Sequence, residues 1–161
     1  MGPLLTAVGL ALGAGWNAPL ALLLAGLTSR AWDDFAFDDR FEFLESPWFL
    51  VIVATWLLAE LMLDKLPRSA DTNDLAGLPI RTVAGALLFA AVESPVTDVS
   101  PWLAAVIGAV LAGIAAAIKT GARRKTRHRQ NPLIDLGASF AQDLVVGLGV
   151  ALAVIAPPAG A

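Results

Sequence analysis

Two long blocks of this sequence carry no charged side chain, and they constrain the fold more than any other feature. The first block covers residues 3–28 and the second covers residues 99–118. A helix needs about 20 predominantly apolar residues to cross a bilayer, so both blocks are long enough. The chain is 16% charged, whereas a soluble domain carries about 25%. These values exclude a soluble enzyme, a nucleic-acid-binding domain and a disordered tail as main interpretations.

The apolar segments predict an all-α fold: a polytopic membrane bundle of about five transmembrane helices, forming a single transmembrane domain over residues 1–161. The first block lacks a basic start and is too long for a signal peptide, so we interpret it as a helix of the mature protein. Small residues such as glycine allow such helices to approach closely. The predicted spans are residues 3–28, about 46–63, about 75–92 with Pro79 and Arg81 inside, 99–118 and about 133–156. The glycines expected at helix contacts are Gly108, Gly113, Gly147 and Gly149.

Lys and Arg are distributed unequally, which predicts the orientation of the chain. The connections after the second and fourth spans, together with Arg81, hold 9 of the 11 basic residues. Basic connections remain in the cytoplasm, so we expect the N-terminus inside and the C-terminus outside. The basic connection 119–129 has no interleaved aromatic residues, and we therefore expect it to contact anionic lipid headgroups and not nucleic acid.

The segment Arg30–Glu45 interleaves phenylalanines with acidic residues. We interpret it as an interfacial segment with its rings toward the membrane and its carboxylates toward water. An acidic mouth that attracts cations is the alternative. Trp32, Trp48 and Trp102 fall at the same outer interface, where indole rings are favoured.

An internal repeat is indicated by the motif Ser46-Pro47-Trp48, which recurs as Ser100-Pro101-Trp102. Lys65 and Lys119 match at the same offset, and an Asp-Leu step follows each of them. The two halves, residues 46–92 and 100–156, would be parallel two-helix repeats, which are frequent in transporters. Chance similarity between apolar segments is the alternative.

Ionisable groups inside the predicted spans are the candidate functional residues, because each one needs a partner or a water-filled cavity. Asn17 lies at the centre of the first span, where it either bonds across a helix contact or forms a break that creates a site. Arg81 is the natural partner of Asp143, with Lys119 as another cation nearby. The candidate solute- or ion-binding residues are Asn17, Glu60, Asp64, Lys65, Arg81, Lys119, Ser139 and Asp143.

We expect these residues to form one cluster. Asn17, Glu60, Arg81 and Asp143 come from four different spans and should converge in the inner half of the bundle, with Arg81 bridging at least one carboxylate. The chain has no cysteine and one histidine, so we expect neither a metal site nor a cofactor, and no catalytic triad.

Several motifs together resemble a bacterial family of small membrane proteins catalogued as domain of unknown function 4126. They include Gly15-Trp16-Asn17-Ala18-Pro19, Asp64-Lys65-Leu66-Pro67 and Ala84-Gly85-Ala86, followed by Ser139 and Gln142-Asp143. The chain departs from the family at Arg81-Thr82, where Arg-Pro is usual, and at Gln142, where Glu is usual. The resemblance implies a protein of the bacterial inner (cytoplasmic) membrane, and it implies no activity.

Three functional classes are compatible with these residues. A small solute or ion transporter, or a channel-like protein, fits best because polar residues occur within at least four spans. A non-catalytic membrane scaffold or assembly factor would use the same residues as contacts between helices. A membrane-embedded enzyme with Glu60 or Asp143 as acid or base ranks last, so we expect no enzyme. A homodimer is plausible for so small a bundle.

The predicted orientation can be tested with single cysteines, because the chain has none of its own. We expect a cysteine in the acidic connection 33–45 to react with a membrane-impermeant maleimide on intact cells. A cysteine in the basic connection 119–129 should react only after the cells are opened. Labelling of the basic connection from outside would overturn the orientation.

Overall fold

All regular structure in the described residues is helical, which confirms the predicted all-α class for that part of the chain. The structure is a computed structural model that describes residues 2–32, 35–63, 70–93, 99–126 and 147–149. The helices are α1 (Gly2–Trp16), α2 (Ala18–Ala31), a 3-10 helix (Asp39–Glu45), α3 (Pro47–Leu63), α4 (Ala70–Glu93) and α5 (Pro101–Thr126). Residues 147–149 are also helical. The rest of the predicted fifth span lies outside the described residues.

The first predicted span is not one helix, so that prediction is wrong. Asn17 separates α1 from α2 in an extended conformation, with φ −145° and ψ 94°. Pro19 has no N–H to donate to α1, and the Leu20 N–H donates to the Asn17 side chain at 3.1 Å. The helical ladder is therefore interrupted at residue 17, and α2 begins with its own cap.

α1 runs parallel to α5 and antiparallel to α4. Gly85 of α4 lies against Gly108 and Ala112 of α5, and Phe89 also lies beside Gly108, so α4 and α5 are antiparallel. Along α5, Ala112 meets Gly15 of α1. Farther on, Lys119 reaches the carbonyl of Trp16. Residues later in α1 therefore contact residues later in α5, so α1 and α5 are parallel.

α2 returns toward the end of the bundle from which α1 starts. The Ser29 hydroxyl near the end of α2 donates to Glu45 at 2.7 Å, which ties it to the 3-10 helix. The Asp38 N–H in turn donates to the carbonyl of Ala91 at 3.1 Å, near the end of α4. Because α4 ends where α1 and α5 begin, α1 and α2 form a helical hairpin with Asn17 at its tip.

The core of the described bundle consists of α1, α4 and α5, which pack against one another through small residues. A Cβ atom at Gly108 would overlap the carbonyl of Gly85, so the backbones of α4 and α5 are in direct contact there. A Cβ atom at Gly147 would lie 3.8 Å from a side-chain carbon of Leu20, whereas a Cβ atom at Gly113 or Gly149 would meet nothing within 4 Å outside its own helix among the described residues. The expected helix contact is confirmed at Gly108.

α3, α4 and α5 correspond to the second, third and fourth predicted spans with changed ends. α4 begins five residues earlier than expected and continues through Pro79. α5 continues to Thr126, beyond the expected end at residue 118. Both Ser-Pro-Trp motifs start a helix in the same way. The Ser46 hydroxyl accepts from the Phe49 N–H at 3.3 Å, and the Ser100 hydroxyl accepts from the Leu103 N–H at 3.4 Å.

The acidic segment after α2 folds over the end of the bundle, and Phe37, one of the rings expected to face the membrane, is buried in the protein instead. Phe37 and Leu44 are buried in the core of the protein. Phe43 is 46% exposed and contacts the ring of Phe49 edge to face. The segment therefore caps the helix ends, with its charged residues Asp39 and Glu42 exposed.

Among the described residues, one helix is long and apolar enough to cross a bilayer, over the 22 residues Pro101–Ala122. A second qualifies if the 3-10 helix and Pro47–Met62, which meet at 53°, are counted as one bent segment. The segments Leu4–Trp16, Ala18–Ala31 and Gly77–Val92 are apolar but shorter.

We expect Gly108→Ala to destabilise the protein, because its methyl group would push against the backbone of α4. Overpacking of this kind costs about 1–3 kcal/mol. Gly113→Ala is the matched control on the same helix, and it should be neutral or stabilising because alanine favours a helix over glycine. Thermal unfolding of the purified protein measures both effects, and equal unfolding temperatures for the two variants would contradict the packing.

Candidate functional site

Charged side chains from α3, α4 and α5 lie toward the tip of the α1–α2 hairpin. Arg81 is one turn, about 6 Å, before Gly85 on α4. Lys119 is about two turns beyond Ala112 on α5. Since α4 and α5 are antiparallel, both residues lie on the same side of the level at which Gly85 and Ala112 meet. We refer to Trp16, Asn17, Glu60, Arg81 and Lys119 as the tip cluster.

Arg81 forms an ion pair with Glu60, which links α4 to α3. The guanidinium donates to the Glu60 carboxylate at 3.2 Å, and the side chains are 4% and 12% exposed. The expectation that Arg81 bridges a carboxylate is confirmed. Removing the guanidinium would leave the Glu60 carboxylate uncompensated, and breaking a buried pair in this way costs about 3–5 kcal/mol. The pair therefore fixes where α3 lies relative to α4.

Lys119 lies within α5 and its side chain is buried in the bundle. The prediction that it belongs to a basic connection at the membrane surface is wrong. Its ammonium donates to the backbone carbonyl of Trp16 at 2.6 Å, and the residue is 1% exposed. The carbonyl groups at the end of a helix carry partial negative charge, so a cation there is stabilised. This contact was missed because the sequence left a helix break at Asn17 as only one of two interpretations.

Asn17 holds the break through its own side chain, which is buried. The oxygen atom of its side-chain amide accepts a hydrogen bond from the Leu20 N–H, as the side chain of an N-cap residue does. Trp16, which sequence reasoning did not single out, lies next to it. The indole N–H of Trp16 is buried and has no hydrogen-bond acceptor among the described residues.

The structure thus brings together Glu60 and Arg81 in one contact and Lys119 and Trp16 in another. The remaining predicted site residues, Asp64, Lys65, Ser139 and Asp143, lie outside the described residues. The expected pairing of Arg81 with Asp143 and the matching of Lys65 with Lys119 therefore stay predictions. Within the described ranges, no three or more His, Cys, Asp or Glu side chains group to hold a metal ion.

These features define a class of protein, an all-helical bundle with buried charges at the tip of a broken helix. The family model described as domain of unknown function 4126 matches residues 4–161. The chain belongs to this family, which confirms the resemblance seen in its motifs. No curated protein and no solved structure matches the chain.

The break at Asn17 predicts a specific pattern of stability. We expect Asn17→Ala to lower the free energy of unfolding by about 0.5–2 kcal/mol, because the Leu20 N–H loses its acceptor. Asn17→Ser should retain most of the stability, since a serine hydroxyl can accept the same bond. Denaturant unfolding monitored by circular dichroism measures the difference. Equal stability of the alanine variant and the natural protein would show that the cap is dispensable.

Proposed function

We propose that this protein spans the cytoplasmic membrane and carries a small solute or ion past the tip cluster. The exposed surface supports its membrane location. On α5, Trp102, Leu103, Val106, Ile107, Val110, Ile114 and Ile118 are all exposed. Monomeric soluble proteins rarely expose such continuous apolar surface, and a bilayer accepts it.

The observation that carries the transport proposal is the helical hairpin with charged groups at its tip. Non-helical backbone at membrane depth is tolerated where it is buried in protein or lines a water-filled cavity. Discontinuous helices of this kind form the substrate and ion sites of many transporters. The buried indole N–H of Trp16, with no acceptor among the described residues, supports a polar occupant beside the tip.

The hairpin changes one part of the expected orientation. If the end of α5, where the basic residues follow Lys119 in the sequence, faces the cytoplasm, the acidic end of the bundle faces outward. The N-terminus was expected inside because the first span was taken to cross once. With α1 and α2 folded back on each other, the start of α1 lies at the outer end together with the 3-10 helix.

A membrane scaffold is the second proposal, and the burial of the charged groups favours it. Lys119 is 1% exposed, and the side chains of Arg81 and Glu60 are 4% and 12% exposed. Closed contacts of this kind can serve to fix the arrangement of helices. The two proposals therefore differ in what happens when the ion pair is replaced by apolar side chains.

The test is the set Glu60→Leu, Arg81→Met and the double variant in proteoliposomes. Each single variant should lose stability, by about 3–5 kcal/mol where Arg81→Met leaves the Glu60 carboxylate without its cation, and the double variant should recover most of that loss. If the protein transports, concentration jumps of H⁺, Na⁺, K⁺ or Cl⁻ should give currents with the natural protein. The stable double variant should lose them.

Thr82→Val is the matched control, because Thr82 is next to Arg81 on α4 and donates its hydroxyl hydrogen bond to the carbonyl of Leu78 within the same helix. It should retain both stability and current. A natural protein that gives no current with any of these ions, and no swelling of liposomes with small neutral solutes, would refute transport. A fully stable double variant in that case would favour the scaffold.

A further inference from the structure

Two successive carbonyl groups at the end of α1 lose the donors that a continuous helix would give them. The carbonyl of Gly15 would accept from residue 19, but Pro19 has no N–H. The carbonyl of Trp16 would accept from the Leu20 N–H, but that N–H donates to the Asn17 side chain. The residues from Asn17 to Leu20 thus begin α2 and leave the carbonyls of Gly15 and Trp16 without their usual helical donors.

The protein supplies a cation at this place from a distant part of the chain. Lys119 lies 103 residues after Trp16, and its ammonium donates to the Trp16 carbonyl at 2.6 Å. The residue is almost fully buried at 1% exposure, so its charge is not solvated by bulk water. An ammonium group is a compact charge with three donors, which suits a group of backbone carbonyls.

We propose that the end of α1 is a binding site for monovalent cations, primary ammonium ions above all, and that Lys119 occupies it as a tethered ligand. Carbonyls at the end of a half-helix coordinate monovalent ions in discontinuous transporter helices. The oxygen atoms of Gly15 and Trp16 supply the negative end of the helix dipole. The proposal deepens the proposed function and rests on it only for the role of the site in transport.

Chemical rescue tests this directly. Lys119→Ala removes the propylammonium part of the side chain and leaves space for it. Adding n-propylammonium should raise the unfolding temperature of this variant in detergent or nanodiscs by about 2–4 °C. Tetramethylammonium at the same ionic strength should not, since it has no N–H donor.

Lys119→Met is the matched control, because its side chain fills the space with apolar atoms. The natural protein and the methionine variant should show no more than the shift that tetramethylammonium gives. Equal shifts in all three proteins, or no shift in Lys119→Ala, would overturn the site.

A second comparison decides the matter if Lys119→Ala does not fold. Lys119→Arg retains a cation with N–H donors, so it should give more folded protein than Lys119→Met in fluorescence-detected size-exclusion chromatography. Equal yields of the two would refute a requirement for a cation. Neither measurement depends on flux, so rescue without any current would retain the cation site while it refutes transport.

Discussion

The interruption of the helical ladder at Asn17 is the constraint on which the other contacts depend. A helix end leaves carbonyl groups unsatisfied, and burial makes each of them costly. Lys119 satisfies one, but its side chain reaches Trp16 only if α5 lies directly against α1. That approach requires glycine at position 15, where a Cβ atom would overlap the backbone of Ala112. The extended conformation of Asn17 therefore requires the Lys119 ammonium at the end of α1, and it requires close packing of α5 against α1 to place that ammonium.

The Arg81–Glu60 ion pair depends less on the break and more on α3. In the described residues α3 packs mainly against α2 and the 3-10 helix, next to which it begins. Its last turns carry Glu60, whose carboxylate reaches into the bundle toward α4. The position of α3 is therefore fixed by hydrophobic packing at one end and by electrostatics at the other.

The apolar blocks were enough to predict α3, α4 and α5 with approximate ends, and the cost of burying a charge was enough to predict that Arg81 contacts a carboxylate. The helix break at Asn17 was predicted only as one of two interpretations. Hydropathy does not show whether an apolar stretch forms one helix or two. The burial of Lys119 was not predicted for the same reason. A lysine near the end of an apolar segment is normally expected at the surface, and only a helix end at residue 16 gives it a buried acceptor. Phe37 was assigned to the membrane surface with the other rings of its segment, because an alternation of rings and acids does not distinguish lipid from protein as the apolar neighbour.

The distance along the chain between Trp16 and Lys119 has a consequence for synthesis. The tip of the hairpin leaves the ribosome before its partner, which follows 103 residues later. While those residues are being made, the end of α1 exists without the ammonium that completes it. Contacts of such long range form late and slowly. The tip of the hairpin is therefore complete only once α5 has been made and has packed against α1.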